Sequence, residues 1–155
     1  ALFPSQYIHV GGDEATHTEW ERCPKCQLRM KEHQLKNVHQ LQSYFIRRID
    51  DFLTSKGRTL VGWDEIMDGG LAKNAVVMNW RGIEVGKKAL AQGNSIVLTS
   101  DCYIDNYQGL PDYEPQANGG YLPLKKLYNY NLEKEALADA SVEKNKEFVS
   151  LSEPE

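Results

Sequence analysis

Four short apolar runs mark the first hundred residues, and they are nearly continuous rather than alternating. Tyr7-Ile8-His9-Val10 ends in Gly11-Gly12, and Leu60-Val61-Gly62-Trp63 ends in Asp64-Glu65. Ala75-Val76-Val77-Met78-Asn79-Trp80 ends in Arg81-Gly82, and Ser95-Ile96-Val97-Leu98-Thr99-Ser100 ends in Asp101. Runs of this kind predict parallel strands buried on both faces. Between the first two lies a helical pattern. Val38, Leu41, Phe45, Ile49 and Phe52 recur at steps of three and four, with Leu53 beside them, and these residues are expected to form the inward stripe. Gly57 is placed to end the helix. A second helix is predicted from Ile83 to Gln92, with Val85, Ala89 and Leu90 inward and Gly93 as its stop. The link from Glu65 to Ala75 is short and carries Gly69-Gly70, so it has room only for a rudimentary helix. Strand, helix, strand, short link, strand, helix, strand reads as parallel α/β.

Beyond Asp101 the pattern changes. Residues 103–131 are rich in Tyr, Asn, Gly and Pro, including Tyr103, Tyr107, Tyr113, Tyr121, Tyr128 and Tyr130 with Pro111, Pro115 and Pro123. They read as a long excursion held by a few aromatic anchors. Residues 132–155 are charged and weakly apolar, a tail expected to be partly helical (Leu137, Val142) or disordered. The chain thus divides into 1–131 and a tail of 132–155, with no internal repeat.

Composition narrows the function classes. With 155 residues, 41% of them apolar, there is material for one core. Eighteen basic and 22 acidic side chains leave a net charge of -4 and no basic block, which argues against a nucleic-acid partner. No apolar run approaches the roughly 18 residues of a membrane span. The opening Ala1-Leu2-Phe3-Pro4 carries no legible targeting signal, so the compartment stays open.

The chemistry collects where the strands end. His9-Val10-Gly11-Gly12-Asp13-Glu14 sets two carboxylates side by side after a strand, with glycines that allow a sharp turn and close approach of a ligand. Trp63 adjoins Asp64-Glu65, Trp80 adjoins Arg81, and Asp101 leads into Tyr103-Ile104-Asp105. Aromatic walls with scattered acids suit a sugar pocket: ring faces pack on pyranose C–H groups, while carboxylates bind hydroxyls or move protons. Adjacent acids do not naturally straddle an anomeric carbon as a retaining pair must, at about 5 Å apart. Either Asp64, Glu65, Asp101 or Asp105 completes a pair with them, or the nucleophile belongs to the substrate.

The run from His9 to Glu14 resembles the signature of family 20 glycoside hydrolases, the β-N-acetylhexosaminidases. Gly62-Trp63-Asp64-Glu65, Met78-Asn79-Trp80-Arg81 and Tyr103-Ile104-Asp105 follow in the family's order. The stretch from Trp20 to Cys26 and Leu41-Gln42-Ser43-Tyr44-Phe45 also look like this family. The resemblance implies a partial TIM (β/α)8 barrel, roughly strands four to seven. It implies Glu14 as general acid/base, Asp13 as the residue that orients the substrate's 2-acetamido group, and Tyr103 as a hydrogen-bond donor to the acetamido oxygen. It places Trp63 and Trp80 as pocket walls, Asp105 near the sugar hydroxyls, and His9 in support of the acid pair. The acetamido oxygen would be the nucleophile, giving net retention. The expected substrates are glycan or chitooligosaccharide ends bearing N-acetylglucosamine or N-acetylgalactosamine. No cofactor is implied, and the family suggests a secreted, periplasmic or lysosomal setting.

The family's first three strands and its eighth have no counterpart here, nor do the Arg, Trp and Glu they bring to the pocket. An open half-barrel is expected to be a piece of a longer enzyme or to self-associate through its edges. The other reading is a catalytically silent half-barrel that binds carbohydrate or assembles with another chain. Cys23-Pro24-Lys25-Cys26 has zinc half-site spacing, with His17, His33 and His39 as possible partners. The expectation is instead a short disulfide or two free thiols in a loop, and no metal.

Overall fold

A computed structural model describes residues 2–100, 102–106, 117 and 119–131. Asp101, Tyr107, Tyr113, Pro111, Pro115 and the tail from 132 lie outside the described residues.

The four apolar runs form four strands: β1 (Tyr7–His9), β2 (Thr59–Trp63), β3 (Val76–Asn79) and β4 (Ile96–Leu98). They lie side by side in chain order, all parallel. Ile8 pairs with Leu60, Gly62 with Val77, and Met78 with Val97. Leu60, Val61 and Gly62 are all buried, as are Val76 and Val77. Successive strand residues point to opposite faces, so this is burial on both sides, and it explains the unbroken apolar runs. The sheet does not close: among the described residues β1 and β4 are its outer strands.

One side of the sheet is covered by α3 (Val38–Ser55) and α4 (Ile83–Ala91), preceded by α1 (Thr18–Arg22) and α2 (Pro24–Glu32). The Asn37 side chain caps α3 by accepting from the Gln40 N–H at 2.9 Å. The link after β2 is a single 3₁₀ turn, Asp64–Met67, as short as its glycines predict. Leu60, Ile66, Val77, Ala89 and Ile96 form the centre of the core, with Ile46 and Leu53 of α3. Asn94, just before β4, donates to the carbonyls of Ala72 and Ala75 at 2.9 Å, which ties the loop before β3 to the strand beyond it. No helix among the described residues is long and apolar enough to cross a membrane.

Two expectations need correction. The buried face of α3 is Val38, Leu41, Gln42, Ser43, Ile46, Asp50 and Leu53. Phe45 and Phe52 are 57% and 60% exposed, so the inward stripe runs about one residue further round the helix than apolar spacing alone predicts. Residues 18–32 also hold two helices where no element was expected. Cys23 sits between them, with its N–H on the Glu19 carbonyl and its own carbonyl accepting from Gln27. Pro24 follows as the first residue of α2, where a missing N–H costs nothing. In the excursion, the short α5 (Leu124–Tyr128) lies ahead of Tyr130, whose hydroxyl donates to the Ser100 carbonyl at 3.2 Å.

Candidate active site

The turn after β1 is held on several sides. Val10 donates to the Val61 carbonyl and Trp63 donates to the Gly11 carbonyl, each at 2.9 Å. Gly11 donates back to His9 Nδ1 at 3.1 Å, so that ring nitrogen is the acceptor. The His9 ring stands edge-on to Trp63, with centroids 5.3 Å apart. Gly11 and Gly12 take φ of 73° and 110°, and Glu14 follows at 45°. Left-handed backbone costs a side-chain-bearing residue about 1–2 kcal/mol, and such outliers collect at functional sites. Gly12 has a second reason to lack a side chain: a Cβ there would lie 2.7 Å from Ile66 Cγ2. Asp13 and Glu14 are both exposed, and no hydrogen bond from a described residue reaches either carboxylate.

Nothing in the apolar pattern singles out Gln42, yet its amide meets this turn. It is 5% exposed, donates through Nε2 to the Gly12 carbonyl at 2.8 Å, and meets His17 Nε2 at 2.9 Å through Oε1. A polar side chain on the core face of a helix is the signal that would have revealed it.

The next two strand ends share one network. Asp64, with no solvent exposure, accepts from Asn79 Nδ2, the Trp80 N–H, the Arg81 N–H and Arg81 Nε. Arg81 turns its other two nitrogens onto Asp68, at 2.9 and 3.1 Å. Hydrogen bonds to Asp68 hold the Arg81 guanidinium charged beyond its ordinary range; burial opposes them, and Asp64 adds a lesser contribution in the same direction as Asp68. Glu65 accepts the Trp80 indole N–H with both oxygens, at 3.0 and 3.2 Å. Asp64 and Glu65 are therefore committed to holding β2 and β3 together, which leaves neither free to complete a two-carboxylate pair.

A cleft of about 550 Å³ opens beside this network, lined in part by Trp80, Arg81, Ser100, Tyr103 and Tyr121. Trp80 and Tyr103 thus line the same cleft. His9, at the end of β1, and Trp63, at the end of β2, pack ring against ring beside the acid turn and do not line the cleft. Asp105 is exposed in the turn after Tyr103 and lines no part of the cleft either. Asn106 fastens that segment by donating to the Gly119 carbonyl at 3.2 Å and accepting from the Leu122 N–H at 2.8 Å.

Cys23 and Cys26 are free thiols, but they stand at the start of α2 and not in a loop. Hydrogen bonds from the Cys26 backbone and thiol pull the Cys23 thiol below its ordinary range, while the same pairing pushes Cys26 up. The histidines proposed to join them are engaged elsewhere: His17 meets Gln42, His33 Nε2 meets the Tyr44 hydroxyl at 2.9 Å, and His39 packs against the His17 ring. Among the described residues no three His, Cys, Asp or Glu side chains gather into a metal site.

The sequence pattern "Glycosyl hydrolase family 20, catalytic domain" matches residues 1–151. The chain belongs to glycoside hydrolase family 20. It is 47% identical over 142 residues to a beta-hexosaminidase of Porphyromonas gingivalis, covering 89% of this chain and 18% of that protein. It is 34% identical to a beta-hexosaminidase of Vibrio furnissii, covering 84% of this chain and 22% of that one. Among solved structures, the family 20 exo-β-N-acetylglucosaminidase of Vibrio harveyi, in complex with N-acetylglucosamine, superposes with a TM-score of 0.74 at 30% identity, over 93% of this chain and 23% of that one. The chain spans about a fifth of the length of these two relatives. Its four parallel strands are an unclosed part of the TIM barrel shared by family 20 catalytic domains.

Proposed function

We propose that this chain carries the catalytic acid and the acetamido side of the pocket of a β-N-acetylhexosaminidase, which removes terminal N-acetylglucosamine or N-acetylgalactosamine from glycan or chitooligosaccharide ends. The observation that carries the reading is the turn after β1, where Asp13 and Glu14 stand exposed, with no hydrogen-bond partner among the described residues, and Glu14 is held in a costly backbone conformation. Glu14 protonates the leaving oxygen and later activates water. Asp13 orients the acetamido group, whose oxygen attacks the anomeric carbon, and Tyr103 donates to that oxygen. Trp63 and Trp80 wall the group, Asp105 serves the sugar hydroxyls, and His9 supports the turn. The commitment of Asp64 and Glu65 to β3 favours a substrate nucleophile over a second protein carboxylate. On this reading the strands are the fourth to seventh of the barrel, and β1 and β4, the outer strands among the described residues, are where the remaining barrel, or a second copy, would pair.

The test is Glu14→Gln in the full-length protein, assayed on a β-N-acetylglucosaminide with a sugar leaving group. The rate is expected to fall about 10²–10⁴-fold. Unchanged hydrolysis would remove Glu14 from the acid role.

A further inference from the structure

Gln42 lies 28 residues beyond Glu14 in sequence, on the helix behind the sheet, yet it touches the acid segment on both flanks. Its Nε2 donates to the carbonyl of Gly12, just before Asp13-Glu14, and its Oε1 faces His17, three residues after Glu14. A carbonyl only accepts, so the amide nitrogen must point at Gly12 and the oxygen at His17. His17 Nε2 is then the donor and carries a proton. The His17 ring is kept in place by Trp20 and His39, with centroids 5.0 and 4.9 Å away. One buried amide thus bridges the two ends of the segment that carries both acids.

The bridge matters because the carboxylates have no hydrogen bonds of their own from described residues. Where Glu14 points is set by its backbone, and that backbone sits in the left-handed region, from which it gains by relaxing. Among the described residues, the side chain from outside the β1 strand that hydrogen-bonds this turn, and so opposes such relaxation, is Gln42. We propose that Gln42, through His17, is a positioning residue that fixes the reach of the Glu14 carboxyl toward the leaving oxygen. This rests on the reading of Glu14 as the acid. Gln42 touches no substrate.

A misplaced acid has a distinct signature. An aryl leaving group departs with little proton help, whereas a sugar alcohol needs it. In the full-length protein, Gln42→Met keeps volume and loses both hydrogen bonds. It is expected to slow release of a sugar leaving group from a chitobiose-type disaccharide by about 10–100-fold. Hydrolysis of the nitrophenyl N-acetylglucosaminide should fall by less than about 3-fold. Equal losses on both substrates, or none, would overturn the proposal. Glu14→Gln serves as the control: if it too spares the disaccharide, the reading of Glu14 itself has failed, and not the bridge alone. Should Gln42→Met not fold, His17→Phe cuts the same bridge while keeping a ring between Trp20 and His39, and the same split in leaving groups is expected. A nitrogen-15 spectrum of the His17 ring supplies an independent check. It should show Nε2 protonated, and a lone pair at Nε2 would contradict the bridge.

Discussion

The chain uses the dipeptide Asp-Glu twice at a strand end, and the two copies live in opposite surroundings. Asp13-Glu14 follows β1 on a glycine turn, exposed and without hydrogen-bond partners among the described residues. Asp64-Glu65 follows β2 and is spent: Asp64 is fully buried under four donors, and Glu65 grips the Trp80 indole. The residues are the same and so is their place at the end of a parallel strand. The difference is what the neighbouring strand end offers. β3 runs into Asn79, Trp80 and Arg81, all donors, so the second pair finds hydrogen-bond partners as it folds. The first pair has glycines and apolar Ile66 beneath it, and stays available.

Substitution should break this comparison in opposite directions. Glu14→Gln is expected to cost about 10²–10⁴-fold in activity while leaving stability within about 0.5 kcal/mol, because the side chain is exposed and no described residue hydrogen-bonds it. Asp64→Ala should do the reverse first: about 3–5 kcal/mol lost in a denaturant titration, since the two Arg81 donors, Asn79 Nδ2 and the Trp80 N–H would be left facing an empty site. Glu65→Ala is a milder case. Losing the partner of the Trp80 indole N–H should cost about 1.5 kcal/mol and shift the tryptophan emission to longer wavelength, as the ring gains freedom and water. The smallest effect belongs to Asp50, a third kind of carboxylate, buried on α3 with one oxygen unpartnered. Burial, aided by the charge of Asp51, raises its proton affinity in the fold. The folded state therefore holds this proton more tightly than the unfolded chain. Stability is lost as pH rises from the ordinary carboxylate range through the raised value. Asp50→Asn should accordingly stabilise the protein at neutral pH, with the gain fading as the pH is lowered into that range.

The strands were legible because parallel pairing buries both faces, and Leu60-Val61-Gly62 and Val76-Val77 state that directly. The phase of α3 was not. Phe45 and Phe52 fit a three- and four-residue spacing, but Gln42, Ser43 and Asp50 occupy the inner face, and a hydrophobicity pattern discards polar residues that are buried. The helices at Thr18–Arg22 and Pro24–Glu32 bury no residue, so no apolar stripe announces them. The acid turn was visible as a motif. That Asp64 and Glu65 would be unavailable was not, because their partners come from a different strand.

The network at Asp64 joins residues only 15 to 17 positions apart. The contacts on the flanks of β1 reach much further: Gln42 to Gly12 spans 30 residues and Arg58 to the Pro4 carbonyl spans 54. Closing a longer loop costs more chain entropy before any contact repays it. Assembly of this sheet is therefore expected to begin at β2 and β3, and the strand that delivers the acids docks last onto a surface already in place.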